Sequence, residues 1–524
     1  MRLSSLCLPA LLAMCCTAYA GEREVPIRTL ELPPGPGNPR NSEGAFVSLK
    51  DGRILFIYSH YTAGHGADHD PAQLCGRYSS DGGRTWSAED RLIVENEGGM
   101  NVMSVSLLRL QGGEIALFYL RKNSEKDCRP VMRLSTDEGE TWGPPMMCIT
   151  DEIGYYVLNN DRVIQLKSGR LVAPVCLHTV KDSPEMDRLG TVMCYLSDDS
   201  GRSWRRSRST RKGYDTSGER ITIQEPGVVE LKDGRIMMLM RASGGYQYLS
   251  YSEDGGETWS PPHASALASP ISPASIKRLP STGDLLLVWN DHSHIPSSLR
   301  NRRVPLSVAI SQDEGQTWQH IKVLEGNPEG WYCYTAVHPL DDAVLLGYCA
   351  SRLAHLRVTR VPVAWLYRDE PITAAVKDTA SLFAGAPEGP LQQLQTPLGV
   401  WSADVEHAEV YSYARGKGIR IQGGTNRTVI LTPPQPVSYG ALTSLRVERF
   451  TARNPYEFIV EALVGETWHR VWQQGETTTV GQLHPIDLQV KELQASQFRF
   501  QCTSVLGAII ADMSVPSLGG FFRD

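Results

Sequence analysis

The chain of 524 residues is too long for one ordinary compact domain, so its length predicts two domains and an export signal. Its hydrophobic content of 41% and charged content of 21% are those of a soluble globular protein. The net charge of −6, together with a sequence that has no basic run of five residues, argues against a nucleic-acid-binding protein.

Residues 1–20 have the pattern of a signal peptide. Arg2 supplies a positive end, residues 6–16 form an apolar stretch too short to span a bilayer, and Ala-Tyr-Ala at residues 18–20 fits a cleavage site. A lipoprotein anchored at Cys15 is the alternative. No later run contains eighteen consecutive apolar residues, so we expect a secreted or periplasmic protein with no transmembrane segment after the signal peptide.

A repeated motif follows. The pattern Ser-x-Asp-x-Gly-x-(Ser/Thr)-Trp occurs five times, at a near-even spacing of about 55–60 residues. Its aspartates are Asp81, Asp137, Asp199, Asp254 and Asp313. A tight turn between two apolar runs precedes each copy, so one repeat holds four antiparallel strands, which is a propeller blade. We expect each Asp to accept hydrogen bonds within its own turn and each Trp to pack between blades, so the motif is structural.

The motif stops after about Asp369, and the pattern of the chain changes there. Residues 390–524 contain short β-rich runs separated by turn residues, such as 429–431 and 498–500, which predicts a β-sandwich. The sequence therefore predicts an all-β protein: a propeller over residues 21–370 and a sandwich over residues 371–524. The sandwich resembles the carbohydrate-binding modules of secreted hydrolases. We expect the N-terminal strand to close a sixth blade.

The five repeats resemble the Asp boxes of the sialidase (neuraminidase) superfamily, over roughly residues 25–370. The resemblance implies a six-bladed propeller and a divergent bacterial-type exo-sialidase that removes terminal sialic acid from glycans or glycoproteins with retention. Sialic acid carries a carboxylate on its anomeric carbon, which would repel a carboxylate nucleophile. The family therefore uses a tyrosine activated by a glutamate, an aspartate as acid/base, and three arginines that bind the carboxylate.

Two site residues follow from one segment. Residues 224–227, Gln-Glu-Pro-Gly, precede the turn before the fourth Asp box and resemble the family's Asn-Glu-Pro strand. The resemblance implies Glu225 as the base and Arg241 as the second arginine. The third arginine precedes the fifth box and is Arg303, with Arg302 as the alternative.

The nucleophile is expected after the fifth box. Tyr334, followed by the hydroxyl residue Thr335, resembles the family's Tyr-Ser segment and is the expected nucleophile. Tyr332 is the alternative, and we otherwise expect it to contact substrate. Eight cysteines lie beyond the signal peptide; their pairing does not follow from the sequence, and no Cys-x-x-Cys predicts a zinc site.

The first arginine of the triad is expected on the first strand. Arg40 occupies that position, without the Ile-Pro that follows it in the family. A second departure is Cys349 after Tyr348, where the family has a glutamate that braces the first arginine. Glu43 is the nearest acid, and we hypothesise that it pairs with Arg40 or contacts substrate, which requires a turn or bulge between the two.

The acid/base is expected in the loop before the first Asp box. Asp68 suits the family's spacing, and Asp70 is the alternative and a candidate substrate contact. With His65 and His69 these acids also suit a metal cluster, but the resemblance implies neither a metal nor a cofactor. The rival functions are a hydrolase or trans-sialidase acting on a related nonulosonic acid, and a non-catalytic glycan-binding propeller.

Overall fold

The structure is a computed structural model that describes residues 25–293, 295, 299–327, 330–351, 355–368, 383, 385–396, 398–413, 416–422, 427–434, 436–438, 444–449, 458–474, 483–486, 494–502 and 508–514. The signal-peptide prediction lies outside these residues. Among the described residues, no helix is long and apolar enough to cross a membrane.

Six groups of antiparallel strands form the blades of a β-propeller. Blade 1 contains β2 (Asn41–Ser48), β3 (Ile54–Tyr61), β4 (Ala72–Ser79) and β5 (Arg91–Val94). Blade 2 contains β6 (Asn101–Arg109), β7 (Ile115–Ser124), β8 (Asp127–Ser135) and β9 (Met146–Met147). Blade 3 contains β10 (Gly154–Val157), β11 (Ile164–Gln165), β12 (Leu171–Val180), β13 (Thr191–Ser197) and β14 (Arg205–Arg206). Blade 4 contains β17 (Ile223–Glu230), β18 (Ile236–Ala242), β19 (Tyr246–Ser252) and β20 (His263–Ala268). Blade 5 contains β21 (Ser275–Arg278), β22 (Leu285–Trp289), β23 (Leu306–Ser311) and β24 (Gln319–Glu325). A small hairpin, β15 (Gly213–Tyr214) and β16 (Arg220–Ile221), precedes blade 4.

The sixth blade joins the two ends of the propeller. It contains β25 (Cys333–Pro339), β26 (Ala343–Ser351) and β27 (His355–Pro362), and β1 (Ile27–Leu32) pairs antiparallel with β27 on its outer edge. The expectation that the N-terminal strand closes a sixth blade is therefore confirmed. This closure pairs a strand edge that would otherwise be open.

Apolar clusters fill all six junctions between neighbouring blades. Each Asp-box tryptophan belongs to the cluster at one junction: Trp86, Trp142, Trp204, Trp259 and Trp318. The sixth junction, between blades 5 and 6, has no Asp box, and Trp365 of the short helix α1 (Val363–Leu366) occupies it instead. The chain thus fills every junction with a large apolar ring, the kind of burial that dominates folding energetics.

The Asp boxes form turns before the last, outermost strand of blades 1 to 5. Asp81 accepts hydrogen bonds from the Thr85 backbone N–H at 2.9 Å and from its hydroxyl at 2.6 Å, and Ser79 Oγ also donates to it. The other four boxes repeat this pattern. The prediction that these carboxylates serve their own turns is confirmed.

The C-terminal residues form two six-stranded sheets. One sheet contains β28 (Gly389–Pro390), β31 (Ala408–Tyr413), β32 (Gly416–Ile421), β35 (Ser444–Arg449), β38 (Leu483–Ile486) and β41 (Ala508–Ser514). The other contains β29 (Gln393–Thr396), β30 (Gly399–Ser402), β33 (Arg427–Thr432), β36 (Phe458–Val464), β37 (Thr467–Gln474) and β40 (Gln497–Cys502). The short strands β34 (Val437–Ser438) and β39 (Gln494–Ala495) pair with each other in a separate two-stranded sheet. Residues of both sheets share one apolar core, in which Trp401 stacks on Phe500. The predicted domain boundary at residues 370–371 lies outside the described residues.

Candidate active site

The innermost strands of the blades share one irregularity. Bulges interrupt β2, β6, β17 and β25 at the same place, before the tight turn of each blade. Five residues on the innermost segments have a left-handed backbone: Glu43, Ser104, Asp161, Glu225 and Tyr334, with φ between 48° and 61°. Such a conformation costs free energy in a non-glycine residue and is concentrated at functional sites.

Tyr334 and Glu225 form the centre of the candidate site. The Tyr334 hydroxyl of blade 6 donates a hydrogen bond of 3.2 Å to Glu225 Oε1 of blade 4, and Arg241 Nη1 donates to the same oxygen at 2.7 Å. Burial would raise the pKa of Glu225, but Arg241 and Arg303 outweigh it and lower that pKa. Burial and the charge of Glu225 raise the pKa of Tyr334. A neutral phenol therefore faces an ionised carboxylate, which is the arrangement of a nucleophile and its base.

The alternatives left open by the sequence differ in position. Arg303 is buried with its guanidinium 5.2 Å from the centroid of the Tyr334 ring, and the backbone carbonyl of Arg302 faces His292 instead. Tyr332 is also buried, but it packs edge-on against Tyr348 in the apolar cluster between blades 5 and 6. The structure brings Arg303 and Tyr334 together and places Tyr332 in the core.

Arg40 forms a second group on blade 1. Its Nη1 donates to Asp68 Oδ1 at 2.6 Å, its Nη2 donates to Ser42 Oγ at 3.1 Å, and its guanidinium lies 4.7 Å from the Tyr61 ring centroid. Arg40 is 2% exposed, whereas the Asp68 side chain is 60% exposed. The desolvation of Asp68 opposes ionisation, but Arg40 lowers its pKa. Asp68 therefore lies at the mouth of the site as a carboxylate paired with a buried cation.

Glu43 lies beside Arg40, on the bulge of β2. The bulge between residues 42 and 45 brings its Oε2 to 4.0 Å from Arg40 Nη2, and the Ser104 hydroxyl donates to the same oxygen at 3.2 Å. Burial raises the pKa of Glu43 to about 8, although Arg40 acts in the opposite direction. Glu43 is therefore largely uncharged at neutral pH.

Cys349 occupies the place behind Arg40 where the family has a glutamate. Its Sγ lies 3.3 Å from the hydroxyl of Ser42, which in turn accepts a hydrogen bond from Arg40. A hydrogen bond from Cys333, its cross-strand neighbour, lowers the pKa of Cys349 to about 6 against the effect of burial. The propeller cysteines are buried free thiols: Cys75, Cys128, Cys148, Cys176, Cys194, Cys333 and Cys349.

Asp70 makes its contacts within its own loop and not with Arg40. Its Oδ2 accepts hydrogen bonds from the backbone N–H groups of His65 and Ala67, both at 2.8 Å, and these bonds lower its pKa. Such bonds make Asp70 the residue that shapes the loop, and Asp68 the one that faces Arg40. With one carboxylate committed to Arg40 and the other to backbone N–H groups, neither acid of the suggested metal cluster is free.

One other group could be considered as a metal site. His60, Cys75 and Asp90 are the one set of three potential ligands within 4.8 Å in the described part of the chain. The Asp90 carboxylate already accepts hydrogen bonds from Arg77 and Tyr58. A guanidinium on the same carboxylate disfavours a divalent cation, so we interpret the group as an ion pair.

Several buried guanidinium nitrogens at the site have no partner among the described residues. Arg40 Nε, Arg241 Nε and Arg303 Nη1 have no hydrogen-bond partner among the described residues. An unpaired buried donor costs free energy, and an anion that accepts from it removes that cost. Arg162, which is 3% exposed, has two more such nitrogens and lies next to Gly227 of the Glu225 strand.

Sequence reasoning missed a set of polar residues around the site, all of them buried except the half-buried Asp161. These are Ser42, Asn101, Ser104, Lys122, Asn160, Asp161 and Arg162. A signal was present at residues 159–162, where four polar residues in a row, Asn-Asn-Asp-Arg, precede the tight turn of blade 3. The isolated Asn101 at the start of an apolar strand gave a weaker signal.

The comparisons with known proteins bear on this geometry. The model of the BNR repeat-like domain matches residues 77–346, which is more than half of the chain. The chain belongs to this family, within the sialidase superfamily. It is a divergent member: a sialidase of Micromonospora viridifaciens is 26% identical over 366 residues, covering 63% of this chain and 52% of that protein.

Two further similarities concern other members of the superfamily. A sialidase of Bacteroides fragilis (strain YCH46) is 28% identical over 240 residues, covering 43% of this chain and 40% of that protein. This BNR-repeat chain thus spans about half of the length of one of these curated relatives and less than half of the other. The Hadza microbial sialidase Hz136 superposes with a TM-score of 0.51 at 18% identity, over 62% of this chain and 66% of that one, which shows a shared propeller fold.

Proposed function

We propose that the protein is a secreted or periplasmic exo-sialidase that hydrolyses terminal sialic acid from glycans or glycoproteins with retention at the anomeric carbon. The observation that carries the proposal is the hydrogen bond from Tyr334 to Glu225, with Arg241 and Arg303 beside it. This combination suits a substrate whose reacting carbon bears a carboxylate. A neutral nucleophile is not repelled by that carboxylate, and the arginines bind it.

Substrate binding would start the reaction at Arg40. The substrate carboxylate competes with Asp68 for this guanidinium, because both are anions that seek the same buried cation. Asp68 loses the interaction that lowers its pKa once Arg40 turns to the substrate. Its pKa then rises, so that Asp68 becomes a proton donor only when substrate is bound.

The chemistry needs two displacement steps. In the first, Tyr334 Oη attacks the anomeric carbon and transfers its proton to Glu225, while Asp68 donates a proton to the departing glycosidic oxygen. In the second, ionised Asp68 takes a proton from a water molecule that attacks the same carbon. The bond to Tyr334 breaks, Glu225 returns the proton, and sialic acid leaves with its original configuration.

The experiment is hydrolysis of 4-methylumbelliferyl sialoside, with the product followed by proton NMR. We expect the α anomer to form first, before mutarotation, and free sialic acid as the product. Formation of a 2,7-anhydro product would favour the intramolecular trans-sialidase. Turnover of a related nonulosonic acid alone would change the substrate, and binding without turnover would favour a glycan-binding propeller.

Export and the C-terminal domain are separate parts of the proposal. N-terminal sequencing of protein recovered from the medium or periplasm should begin at Gly21, and retention in the cytoplasm would overturn the export proposal. We propose carbohydrate binding for the two C-terminal sheets, and a glycan array with residues 371–524 attached to the propeller or deleted would test it.

A further inference from the structure

Two buried asparagines outside the proposed chemistry make the same unusual pair of contacts. Asn101, the first residue of β6, donates from Nδ2 to the backbone carbonyls of Asp68 at 2.9 Å and Asp70 at 2.8 Å. Asn160, between β10 and β11, donates from Nδ2 to the carbonyls of Gly44 at 2.8 Å and Tyr334 at 3.0 Å. Both asparagines are fully buried.

These carbonyls lie where regular backbone pairing fails. Gly44 and Tyr334 are within the bulges of β2 and β25, and Asp68 and Asp70 are in the loop between β3 and β4. A carbonyl outside a strand ladder needs another donor when it is buried, and one carboxamide nitrogen supplies two N–H groups. Each amide therefore ties together two carbonyls at positions that have no register partner in the neighbouring strand.

The four carbonyls divide by function. Those held by Asn101 are the backbone carbonyls of the proposed acid/base Asp68 and of Asp70. Lys122 Nζ donates a further hydrogen bond of 2.6 Å to the Asp68 carbonyl. Those held by Asn160 belong to the proposed nucleophile, Tyr334, and to Gly44 of β2, the strand that carries Glu43 and follows Arg40 directly. The next residue, Asp161, accepts from the backbone N–H of Val337 at 2.8 Å and so fixes the same strand of blade 6.

We propose that Asn101 and Asn160 are positioning residues with separate duties: Asn101 holds the acid/base loop against blade 2, and Asn160 holds the nucleophile strand against blade 1. The proposal rests on the proposed function, since it divides that reaction into proton donation and nucleophilic attack. A shift of about 1 Å in either group is enough to cost on the order of 100-fold in rate. A loss of proton donation by Asp68 slows only substrates whose leaving group needs a proton, whereas a loss of attack by Tyr334 slows all substrates.

The test compares kcat/KM, which reports the first displacement alone, for Asn101→Ala and Asn160→Ala on two substrates. An activated nitrophenyl sialoside needs no proton from Asp68, whereas an alkyl or sugar-linked sialoside does. We expect Asn101→Ala to lose about 100-fold on the sugar-linked substrate and only a few-fold on the activated one. Asn160→Ala should lose about 100-fold on both, because both need the nucleophile.

Controls separate these roles from a general loss of folding. Asn159→Ala removes a neighbouring buried amide for which the described residues show no side-chain hydrogen bond, and it should keep wild-type kcat/KM on both substrates. Asn101→Ser and Asn160→Ser keep one donor and should recover part of the rate if the alanine variants fold poorly. Equal losses of Asn101→Ala and Asn160→Ala on both substrates would overturn the division of duties.

A readout without turnover keeps the test independent of the proposed function. Hydrogen–deuterium exchange should quicken in residues 62–71 for Asn101→Ala and in residues 333–337 for Asn160→Ala, each without the other. If the wild-type protein cleaves no sialoside but the two variants show these exchange changes, the sialidase proposal is rejected and the two tethers are kept. Unchanged exchange in both segments would reject the tethers themselves.

Discussion

Tyr334 and Glu225 are 109 residues apart in the chain, and their side chains meet at 3.2 Å because the propeller closes. Glu225 lies on blade 4 and Tyr334 on blade 6, so neither local sequence nor a single blade creates the contact. Both residues have a left-handed backbone conformation that a bulge supports. The pair therefore depends on the same closure that joins β1 to β27.

The first prediction concerns this pair. Tyr334→Phe should lower kcat by at least about 1000-fold while sialic acid still binds, because the arginines remain. Glu225→Gln should do nearly the same, and the double variant should cost little more than either alone, since the two residues act as a unit. Steady-state kinetics and calorimetric titration with sialic acid measure this.

Tyr332→Phe is the matched control for this prediction. The Tyr332 ring packs in the apolar cluster beside Tyr348, so we expect kcat to stay near the wild-type value. A large loss in Tyr332→Phe with normal turnover in Tyr334→Phe would shift the nucleophile by two residues. If neither variant loses turnover, the tyrosine mechanism is wrong.

The second prediction concerns Glu43 and alkaline pH. Its pKa is raised to about 8, so the carboxyl is mostly neutral at pH 7 and ionises as the pH rises through 8. Ionisation places a negative charge 4.0 Å from Arg40, where it competes with the substrate carboxylate. We expect KM to rise above pH 8 with little change in kcat. In Glu43→Gln this rise should disappear, and equal alkaline limbs in both proteins would contradict the assignment.

The third prediction concerns the closure of the propeller in acid. Glu325 of blade 5 accepts hydrogen bonds from Arg28 at 2.9 Å and from Arg357 and Tyr348 at 2.6 Å, all on blade 6. Despite burial, Arg28 and Arg357 lower its pKa to about 2. Because the folded-state pKa is below the ordinary value, this stabilisation is complete above about pH 4.5 and fades as the pH falls towards 2.

Glu325→Gln should therefore lower the free energy of unfolding by about 3 kcal/mol at pH 7, because it leaves the buried Arg357 and the half-buried Arg28 with a neutral partner. The difference from the wild type should shrink between about pH 4.5 and 2. Urea unfolding at several pH values measures both effects. Glu89→Gln, at an exposed position, is the control and should leave stability unchanged; a pH-independent difference for Glu325→Gln would count against the ion pairs.

The fourth prediction separates scaffold from chemistry. Asp199 of the third Asp box accepts bonds from the backbone N–H and hydroxyl of Ser203 and from Ser197 Oγ. Asp199→Ala should lower the melting temperature by a few degrees and leave kcat/KM unchanged, because the carboxylate serves only its turn. A selective loss of turnover without loss of stability would mean that this turn acts on the site.

The sequence by itself determined the repeat unit, its strands and the segments that carry the site. Hydrogen bonds within an Asp box join residues a few positions apart, so the motif has the same meaning wherever it occurs. The Gln-Glu-Pro-Gly segment and the arginine after its turn are similarly local, which is why Glu225 and Arg241 could be predicted and are in contact. Their roles in catalysis stay predictions.

Only the tertiary structure distinguishes the positions of neighbours such as Tyr332 and Tyr334, Arg302 and Arg303, and Asp68 and Asp70. Tyr334 lies in the bulge of β25, and both arginines and both aspartates lie in loops. Neither a bulge nor a loop conformation follows from the alternation of side chains that the sequence of a regular strand reveals. The neighbours of Arg40, and the tethers from Asn101 and Asn160, join residues from different blades or distant loops. They exist because the six blades meet around one axis, and that meeting is a property of the closed ring and not of any one repeat.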